Sequence, residues 1–180
     1  VEQAKYNLAL MLARGAGLPL DEPRALALLE PFAATREDAA LLMGEIHLRH
    51  AEDPARAAQA LAVFKGLAES GVANAQAALG MMYLLGTGTT ADAQEGRFWT
   101  EQAARQGSPR AQLTLGNYYA QGIGATRDLI EAHAWYSLSA ESGDASARQF
   151  AGAVATELDT DGRLKAATRL GELRAIVPTT

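Results

Sequence analysis

Cysteine is absent from the 180-residue sequence. Without it the chain has no disulfide, no thiolate nucleophile and no cysteine-ligated zinc. The absence does not decide the compartment, because a cysteine-free chain suits a reducing cytosol and an oxidising periplasm equally. Aromatic residues reach only 6%, and Val and Ile are sparse beside Leu and Ala. Sparse β-branched and aromatic residues are typical of helices rather than sheets, so an all-α fold is predicted.

Positive charge is also scarce. Lys and Arg number 16 against 21 Asp and Glu, which gives a net charge of −5. Surfaces that bind nucleic acids concentrate positive charge, so no nucleic-acid partner is predicted. No apolar run approaches the roughly 20 residues of a membrane-spanning helix, so direct insertion into a membrane is not predicted either.

Catalytic signatures are missing from the chain as well. It has no G-x-S-x-G elbow, no phosphate loop ending in G-K-[ST] and no H-E-x-x-H. Glycine pairs such as Gly122 and Gly124 superficially suggest a nucleotide loop, but no predicted strand precedes them and they recur with a structural period. No catalytic residue and no cofactor are predicted.

Glycines instead mark an internal repeat of 36 residues. The series with this spacing are Gly44, Gly80 and Gly116; Gly71, Gly107 and Gly143; Gly86 and Gly122; and Gly88 and Gly124. Alanines and tryptophans follow the same period, as in Ala75 and Ala111 or Trp99 and Trp135. A fixed period of this length indicates stacked structural units. We predict four units over 4–38, 39–74, 75–110 and 111–146.

Each unit is predicted to be an antiparallel pair of helices, A and B. In the fourth unit, Gly122 ends helix A in the left-handed conformation and Asp128 caps the start of helix B. Ser108 and Pro109 supply the cap and the first position of helix A. Gly116 lies inside a helix, where glycine costs about 1 kcal/mol relative to alanine, which close packing is expected to offset.

Three units together resemble the Sel-1-like repeat, a relative of the tetratricopeptide repeat. Unit four carries Ala111, Leu115-Gly116, Tyr119, Gly122, Gly124, Asp128, Trp135-Tyr136 and Ala140 to Gly143; unit three carries Ala75, Leu79-Gly80, Tyr83, Gly86, Gly88, Asp92 and Trp99; unit one keeps Ala4, Tyr6, Leu8, Gly15, Gly17 and Asp21. The resemblance implies a right-handed α-solenoid of helix hairpins, the tetratricopeptide-like superhelix.

Unit two departs most from this pattern. His50 and Glu52 replace the loop glycines and Arg56 replaces the acidic residue, so helix B is expected to start early, at Asp53-Pro54. Residues 147–175 resemble a capping pair common at the end of such solenoids. Their first helix is expected to reach Leu158 and the second to begin with Thr160 as its cap.

The resemblance implies a non-enzymatic scaffold or adaptor that binds a protein or peptide on a concave surface formed by the A helices. Aligning the units gives two inward-facing positions. The first holds Asn117, Met81, Glu45 and Leu10, and the second holds Arg110, Asn74, Asp38 and Gln3. In related repeats, an asparagine at the first position often hydrogen-bonds a peptide backbone. Arg110 is suited to a carboxylate.

Two alternatives stay open at this point. Sel-1-like proteins also resemble components of exopolysaccharide secretion, which favours an envelope module with a polysaccharide or cell-wall partner and a periplasmic or envelope location. Solvent-facing aromatics and acids would favour glycan, whereas Asn, Arg and apolar pockets would favour peptide. Catalysis is the third hypothesis. Because the chain begins at Val1 within an uncapped helix, a longer upstream chain is also expected.

Three groups of residues could serve either in the packed core or in a functional site. Of the five apolar residues from Met81 to Leu85, one or two are expected at the surface and the rest in the core. Trp99, Trp135 and Tyr136 are predicted to pack between helices. His47 and His50 have a spacing that metal sites use, but His133 is two units away, so no metal site is predicted.

Overall fold

The computed structural model describes residues 2–178, which form helices and loops and no strand. The described helices are α1 (Glu2–Arg14), α2 (Glu22–Ala33), α3 (Glu37–Arg49), α4 (Pro54–Glu69), α5 (Ala73–Leu85), α6 (Ala93–Arg105), α7 (Pro109–Gln121), α8 (Leu129–Glu141), α9 (Ala145–Glu157) and α10 (Thr160–Ile176). The all-α prediction is confirmed. The expectation of a longer upstream chain was based on Val1, which lies outside the described residues.

Helices that follow one another in the chain also pack against one another, from α1 to α9. Contacts dominated by sequence neighbours are characteristic of a solenoid, in which each unit touches mainly the units beside it. Odd-numbered helices up to α7 occupy the helix A positions, and even-numbered helices up to α8 occupy the helix B positions. The predicted solenoid class is thereby confirmed.

Glycine ends two A helices, and aspartate starts the B helices that follow. Gly86 and Gly122 have φ angles of 72° and 73°, in the left-handed region that glycine enters without steric cost. The carboxylates of Asp92 and Asp128 each accept two backbone N–H groups of the first turn of α6 and α8. The predicted roles of Gly122 and Asp128 are confirmed.

The second unit reaches the same hairpin by a different loop. His50, the residue that follows α3, has φ of −115°, so no left-handed residue closes the helix. Only four residues separate α3 from α4, because Asp53 caps α4 and Pro54 opens it. α4 therefore has 16 residues, whereas α6 and α8 have 13. The early start predicted at Asp53-Pro54 is confirmed.

Small residues allow the two helices of a hairpin to approach closely. A Cβ on Gly116 would lie 2.5 Å from the Tyr136 ring, and one on Gly44 would lie 2.9 Å from the Phe64 ring. A Cβ on Gly80 would come within 2.8 Å of a backbone oxygen of α6. The expected close packing is confirmed, and its partner in each case is helix B of the same hairpin.

The buried core is divided into four groups along the stack rather than forming one continuous interior. Each group draws on two to four neighbouring helices, and about half or slightly fewer of its buried residues are alanine. The larger buried residues that mark these groups, in order along the stack, are Leu29 and Ile46, Phe64 and Leu79, Trp135 and Leu173, and Tyr136 and Val154.

The last two helices both pack against α8. α9 buries Ala151 and Val154 beside Tyr136, and α10 brings Leu173 into the group around Trp135. The expected cap of α10 was wrong by one residue. The Asp159 carboxylate accepts the Gly162 N–H at 2.7 Å, and Thr160 is the first helical residue.

Candidate functional site

One stripe runs along each A helix and carries the predicted contact residues. The two aligned positions are seven residues apart, which is two turns, so both lie on the same face of their helix. Asn74 and Met81 lie on this face of α5, and Arg110 and Asn117 lie on it in α7. α3 presents Asp38 and Glu45, and α1 presents Gln3 and Leu10. We call this face of α3, α5 and α7 the helix-A stripe.

The middle of the helix-A stripe is apolar. Met81 is 40% exposed, and Leu85, one turn further along α5, is 67% exposed. Asn74, at the start of the helix, is exposed too, whereas Met82 is buried in the core. Two of the five apolar residues from Met81 to Leu85 are therefore exposed, as predicted. Sequence reasoning left Leu85 out of the stripe, although its spacing of four from Met81 indicated it.

In α7 the stripe is polar. The Tyr136 hydroxyl donates to Oδ1 of Asn117 at 2.7 Å. The half-buried Asn117 amide is thereby oriented by helix B, and its two N–H donors are not used in that bond. Arg110, two turns earlier, is exposed to solvent. This end of the stripe can offer an oriented amide donor and a guanidinium to a ligand.

In α3 the two predicted residues differ in availability. Glu45 is exposed. Asp38 already accepts hydrogen bonds from Arg36 at 2.9 Å and from the Tyr6 hydroxyl at 2.7 Å. Arg36 and then Tyr6 are the main reasons why the pKa of Asp38 falls to about 2. Asp38 therefore joins α1 to α3, and Glu45 is the carboxylate that α3 presents to solvent on this face.

In the first unit, the two aligned positions do not extend the helix-A stripe. Gln3 is exposed and its side-chain amide donates to Asn7 on the same helix at 2.9 Å. Leu10 is half-buried and packs on the core group of α1, α2 and α3. Neither residue adds an exposed apolar or charged feature that continues the surface of α5.

The large aromatic residues lie in the core, as predicted. Trp135 and Tyr136 are buried, and Trp99 packs half-buried against the group around Phe64. The Trp135 indole donates to Glu131 at 3.1 Å, so its one polar atom is paired within the same helix. These rings support the helix contacts and are not part of the helix-A stripe.

The three histidines are held in separate surroundings. The buried His47 ring lies 3.1 Å from an Arg56 nitrogen, and burial, followed by that positive charge, lowers the pKa of His47. His50 contacts the Glu22 carboxylate at 2.5 Å, which ties the end of α3 to the start of α2. Burial also lowers the pKa of His133, on α8. Within residues 2–178 no group of three or more His, Asp or Glu is arranged to hold a metal ion.

Two carboxyl groups have lowered pKa values, and ion pairs explain both. At Glu22, burial raises the pKa, but hydrogen bonds from His50 and Arg49 outweigh burial and lower it. At Asp38 the cause is Arg36 together with Tyr6. Glu22 links α2 to the end of α3, and Asp38 links α1 to the start of α3, so their electrostatic environment is that of a structural contact between helices.

The family model of the Sel1 repeat matches three segments of the chain, residues 2–34, 73–108 and 109–144. Together they make up more than half of the chain. Between the first two matched segments, residues 35–72 are not matched, and they include the short loop at His50. A comparison with curated protein sequences finds no match.

Two solved structures resemble the chain over nearly its whole length. One is c5321, a protective antigen of uropathogenic Escherichia coli strains with an SLR fold, at 25% identity and a TM-score of 0.87. The comparison covers 98% of this chain and 38% of the antigen, so the chain spans well under half of that protein. The other is a Sel1 repeat protein from Oxalobacter formigenes, at 26% identity and a TM-score of 0.74 over 97% of this chain and 73% of that one.

None of the described helices is both long enough and apolar enough to cross a membrane. Sel1 repeats generally mediate contacts between proteins and typically serve as non-catalytic scaffolds. On the helix-A stripe, the exposed Met81 and the half-buried Asn117 lie at one position of the repeat, and the exposed Asn74 and Arg110 lie at the other.

Proposed function

The chain belongs to the Sel1 repeat family, and we propose that it is a non-enzymatic scaffold that binds an extended peptide segment of another protein on the helix-A stripe, its concave surface. The observation that carries this proposal is the oriented amide of Asn117. Its Oδ1 is held by Tyr136, so its N–H groups are directed by the fold before a ligand arrives. A preoriented donor loses little side-chain entropy on binding a peptide carbonyl.

The composition of the stripe suggests the chemistry of the peptide. Met81 and Leu85 form an exposed apolar patch on α5, and methionine adapts to irregular partner surfaces. Arg110 lies on the α7 side of that patch, and Glu45 lies on the α3 side. The preferred segment therefore carries an acidic group that meets Arg110, an apolar side chain over Met81, and a basic group that meets Glu45.

Observations on the stripe favour peptide over glycan. Glycan-binding surfaces rely on exposed aromatic rings, and the two exposed phenylalanines, Phe98 and Phe150, lie on α6 and α9 rather than on the stripe. The stripe instead combines asparagine, arginine and an apolar patch, the set expected for a peptide. The polysaccharide and envelope alternative has no comparable observation in its favour.

The proposal is tested by affinity capture of partner proteins with a double variant, Asn117→Ala with Arg110→Glu. The matched control is Gln59→Ala with Lys65→Glu, which likewise removes a side-chain amide and reverses a positive charge, at exposed positions of α4, a B helix. We expect the stripe variant to lose partners that the wild type and the control both retain. Partners that stay bound to the stripe variant as strongly as to the control would contradict the proposal, provided that circular dichroism shows both variants folded.

A further inference from the structure

Two buried glutamines occupy the same position in consecutive units. Gln76 on α5 and Gln112 on α7 are 36 residues apart, and they are 6% and 2% exposed. Each donates a hydrogen bond through Nε2 to the backbone carbonyl of the residue eight positions earlier, near the end of the preceding B helix. Gln76 bonds to Ala68 and Gln112 bonds to Ala104, both at 3.2 Å. Both side chains therefore join helix A of their unit to the unit before it.

The two glutamines differ in the hydrogen-bond partner of their side-chain oxygen, Oε1. Oε1 of Gln76 accepts the side-chain amide of Gln106 at 2.7 Å, and the same nitrogen donates to the Gly71 carbonyl at 2.8 Å. The residue 36 positions after Gln106 is Ser142, whose side chain is shorter by an amide and a methylene. Oε1 of Gln112 is buried and has no hydrogen-bond partner within residues 2–178. A buried acceptor of this kind is uncommon in folded proteins.

The orientation of the Gln112 amide is fixed by its surroundings. Rotating it by 180° would set Oε1 against the Ala104 carbonyl, two acceptors facing each other, so the N–H groups must point to Ala104. Gln112 lines a cavity of about 90 Å³, several times the space that one water molecule needs. The cavity lies at the junction of α7, α8 and α10, and its other lining residues are Gly107, Leu138, Glu141, Ser142, Arg174, Val177 and Pro178.

We propose that this cavity, which we call the Gln112 cavity, binds a primary carboxamide, the side-chain amide of a glutamine or asparagine. Oε1 of Gln112 is closed to solvent in this conformation, so binding begins with a small shift of the side chain that exposes it. The amide would then place one N–H on Oε1 of Gln112 and the other on the Gly107 carbonyl, as Gln106 does with Gln76 and Gly71 one unit earlier. Gly107 is the residue 36 positions after Gly71. The chain itself thus shows which chemical group this arrangement of acceptors takes.

The rim of the Gln112 cavity favours a neutral amide over a cation. Arg174 donates to Glu141 through Nε and Nη2, which leaves Nη1 to meet the carbonyl oxygen of the amide. A bound ammonium or guanidinium group would instead stand beside the positive charge of Arg174. Leu138 and Val177 provide apolar walls for the methylene groups of a glutamine side chain. The residues of this cavity differ from those of the helix-A stripe, so the two proposals stand or fall separately.

The test uses NMR titration of the full chain with propionamide, and with N,N-dimethylpropionamide as the ligand that lacks N–H donors. We expect saturable shifts at Gly107 and at the Gln112 side chain with propionamide, and at least about tenfold weaker binding of the dimethyl compound. Free glutamine and its N-acetyl N-methylamide then distinguish a small-molecule amide from a side chain of a partner protein. The tighter of the two identifies the source.

Two variants at exposed positions act as matched controls. Ser142→Gln rebuilds the contact that Gln106 makes in unit three, so it should raise the melting temperature and abolish propionamide binding. Gln106→Ser opens the equivalent space beside Gln76 and should create a second site, with shifts at Gly71. Absence of saturable propionamide binding to the wild type, or binding that Ser142→Gln leaves unchanged, would overturn the proposal. In that case the cavity holds only water.

Discussion

Asp38 shows how a single exposed residue can join two helices that are not consecutive in the chain. It accepts hydrogen bonds from Arg36 and from the Tyr6 hydroxyl, and the Arg36 guanidinium lies 3.8 Å from the centre of the Tyr6 ring. The hydroxyl of Tyr6 is in α1, while Arg36 and Asp38 flank the start of α3. Two side chains, one from α1 and one just before α3, therefore depend on one carboxylate.

Asp38→Asn should destabilise the protein in a way that depends on pH. The pKa of Asp38 falls from 3.8 to about 2 on folding, so its ionised form stabilises the folded state. That contribution is complete above pH 4 and is lost as pH falls towards 2. We expect the melting temperature at pH 7 to be about 2–4 °C below that of the wild type. The decrease is small because an ion pair exposed to solvent contributes little to the free energy of unfolding. The difference should close near pH 2.

Thermal unfolding followed by circular dichroism between pH 2 and pH 7 measures this difference. Glu45→Gln is the control, because Glu45 is exposed in the middle of the same helix and its side chain makes no ion pair in the described chain. A difference between Asp38→Asn and the wild type that stays constant over this pH range would mean that the carboxylate charge is not what stabilises the contact.

The hairpin is built on contacts that only glycine permits. Gly116 lies against the Tyr136 ring, and Tyr136 in turn holds the Asn117 amide. A bulkier residue at position 116 would push the ring of α8 away from α7 and release that amide. The same position is Gly80 in unit three and Gly44 in unit two, so close contact between helices A and B recurs through the stack.

Gly116→Ala and Gly152→Ala should change stability in opposite directions. Both glycines lie inside helices, where alanine is favoured by up to about 1 kcal/mol. At Gly152 nothing lies within 4 Å of the added Cβ, so the change should stabilise. At Gly116 the Cβ would lie 2.5 Å from the Tyr136 ring, and overpacking should cost about 1–3 kcal/mol. Urea unfolding measures both, and a gain in stability at Gly116 would mean that α7 and α8 are not held at this distance.

Element boundaries could be predicted where one residue type is required. A left-handed φ at the end of α7 strongly favours glycine, and Gly122 is the residue in that position. The capping residue of α10 was predicted wrongly because Asp159, Thr160 and Asp161 can all cap a helix. The Asp159 carboxylate reaches the Gly162 N–H, and this contact depends on the path of the loop after Leu158. The sequence pattern does not contain that path.

Contacts of the candidate sites were harder to predict for a related reason. The repeat placed Asn117 on helix A, but its bond to Tyr136 joins residues 19 positions apart on two helices, and periodicity does not show which side chains meet. The unpaired oxygen of Gln112 depends on the length of the side chain at Ser142. The difference between Gln106 and Ser142 at equivalent positions gains meaning only once the structure shows that Gln106 contacts Gln76.

The division of the core into separate groups determines how the whole molecule responds to damage. The group around Leu29 and Ile46 lies in α1, α2 and α3, while Leu173 belongs to the group of α6, α7, α8 and α10. In a solenoid the stability is close to a sum of unit terms and terms between neighbouring units. A cavity in one group should therefore loosen its own end of the stack first.

Leu173→Ala tests this expectation, with Leu29→Ala as the matched change at the other end of the stack. Both leucines are fully buried, so each substitution should cost about 2–5 kcal/mol. Hydrogen exchange should accelerate mainly in α7, α8 and α10 for Leu173→Ala, and mainly in α1, α2 and α3 for Leu29→Ala. Equal acceleration in all helices for both variants would mean that the stack unfolds as one cooperative unit. Local loosening would mean that the two ends respond separately. The helices around the Gln112 cavity, which is lined by α7, α8 and residues at the end of α10, would then exchange faster in Leu173→Ala. In the same variant, Asp38 and Glu22 would still hold α1, α2 and α3 together.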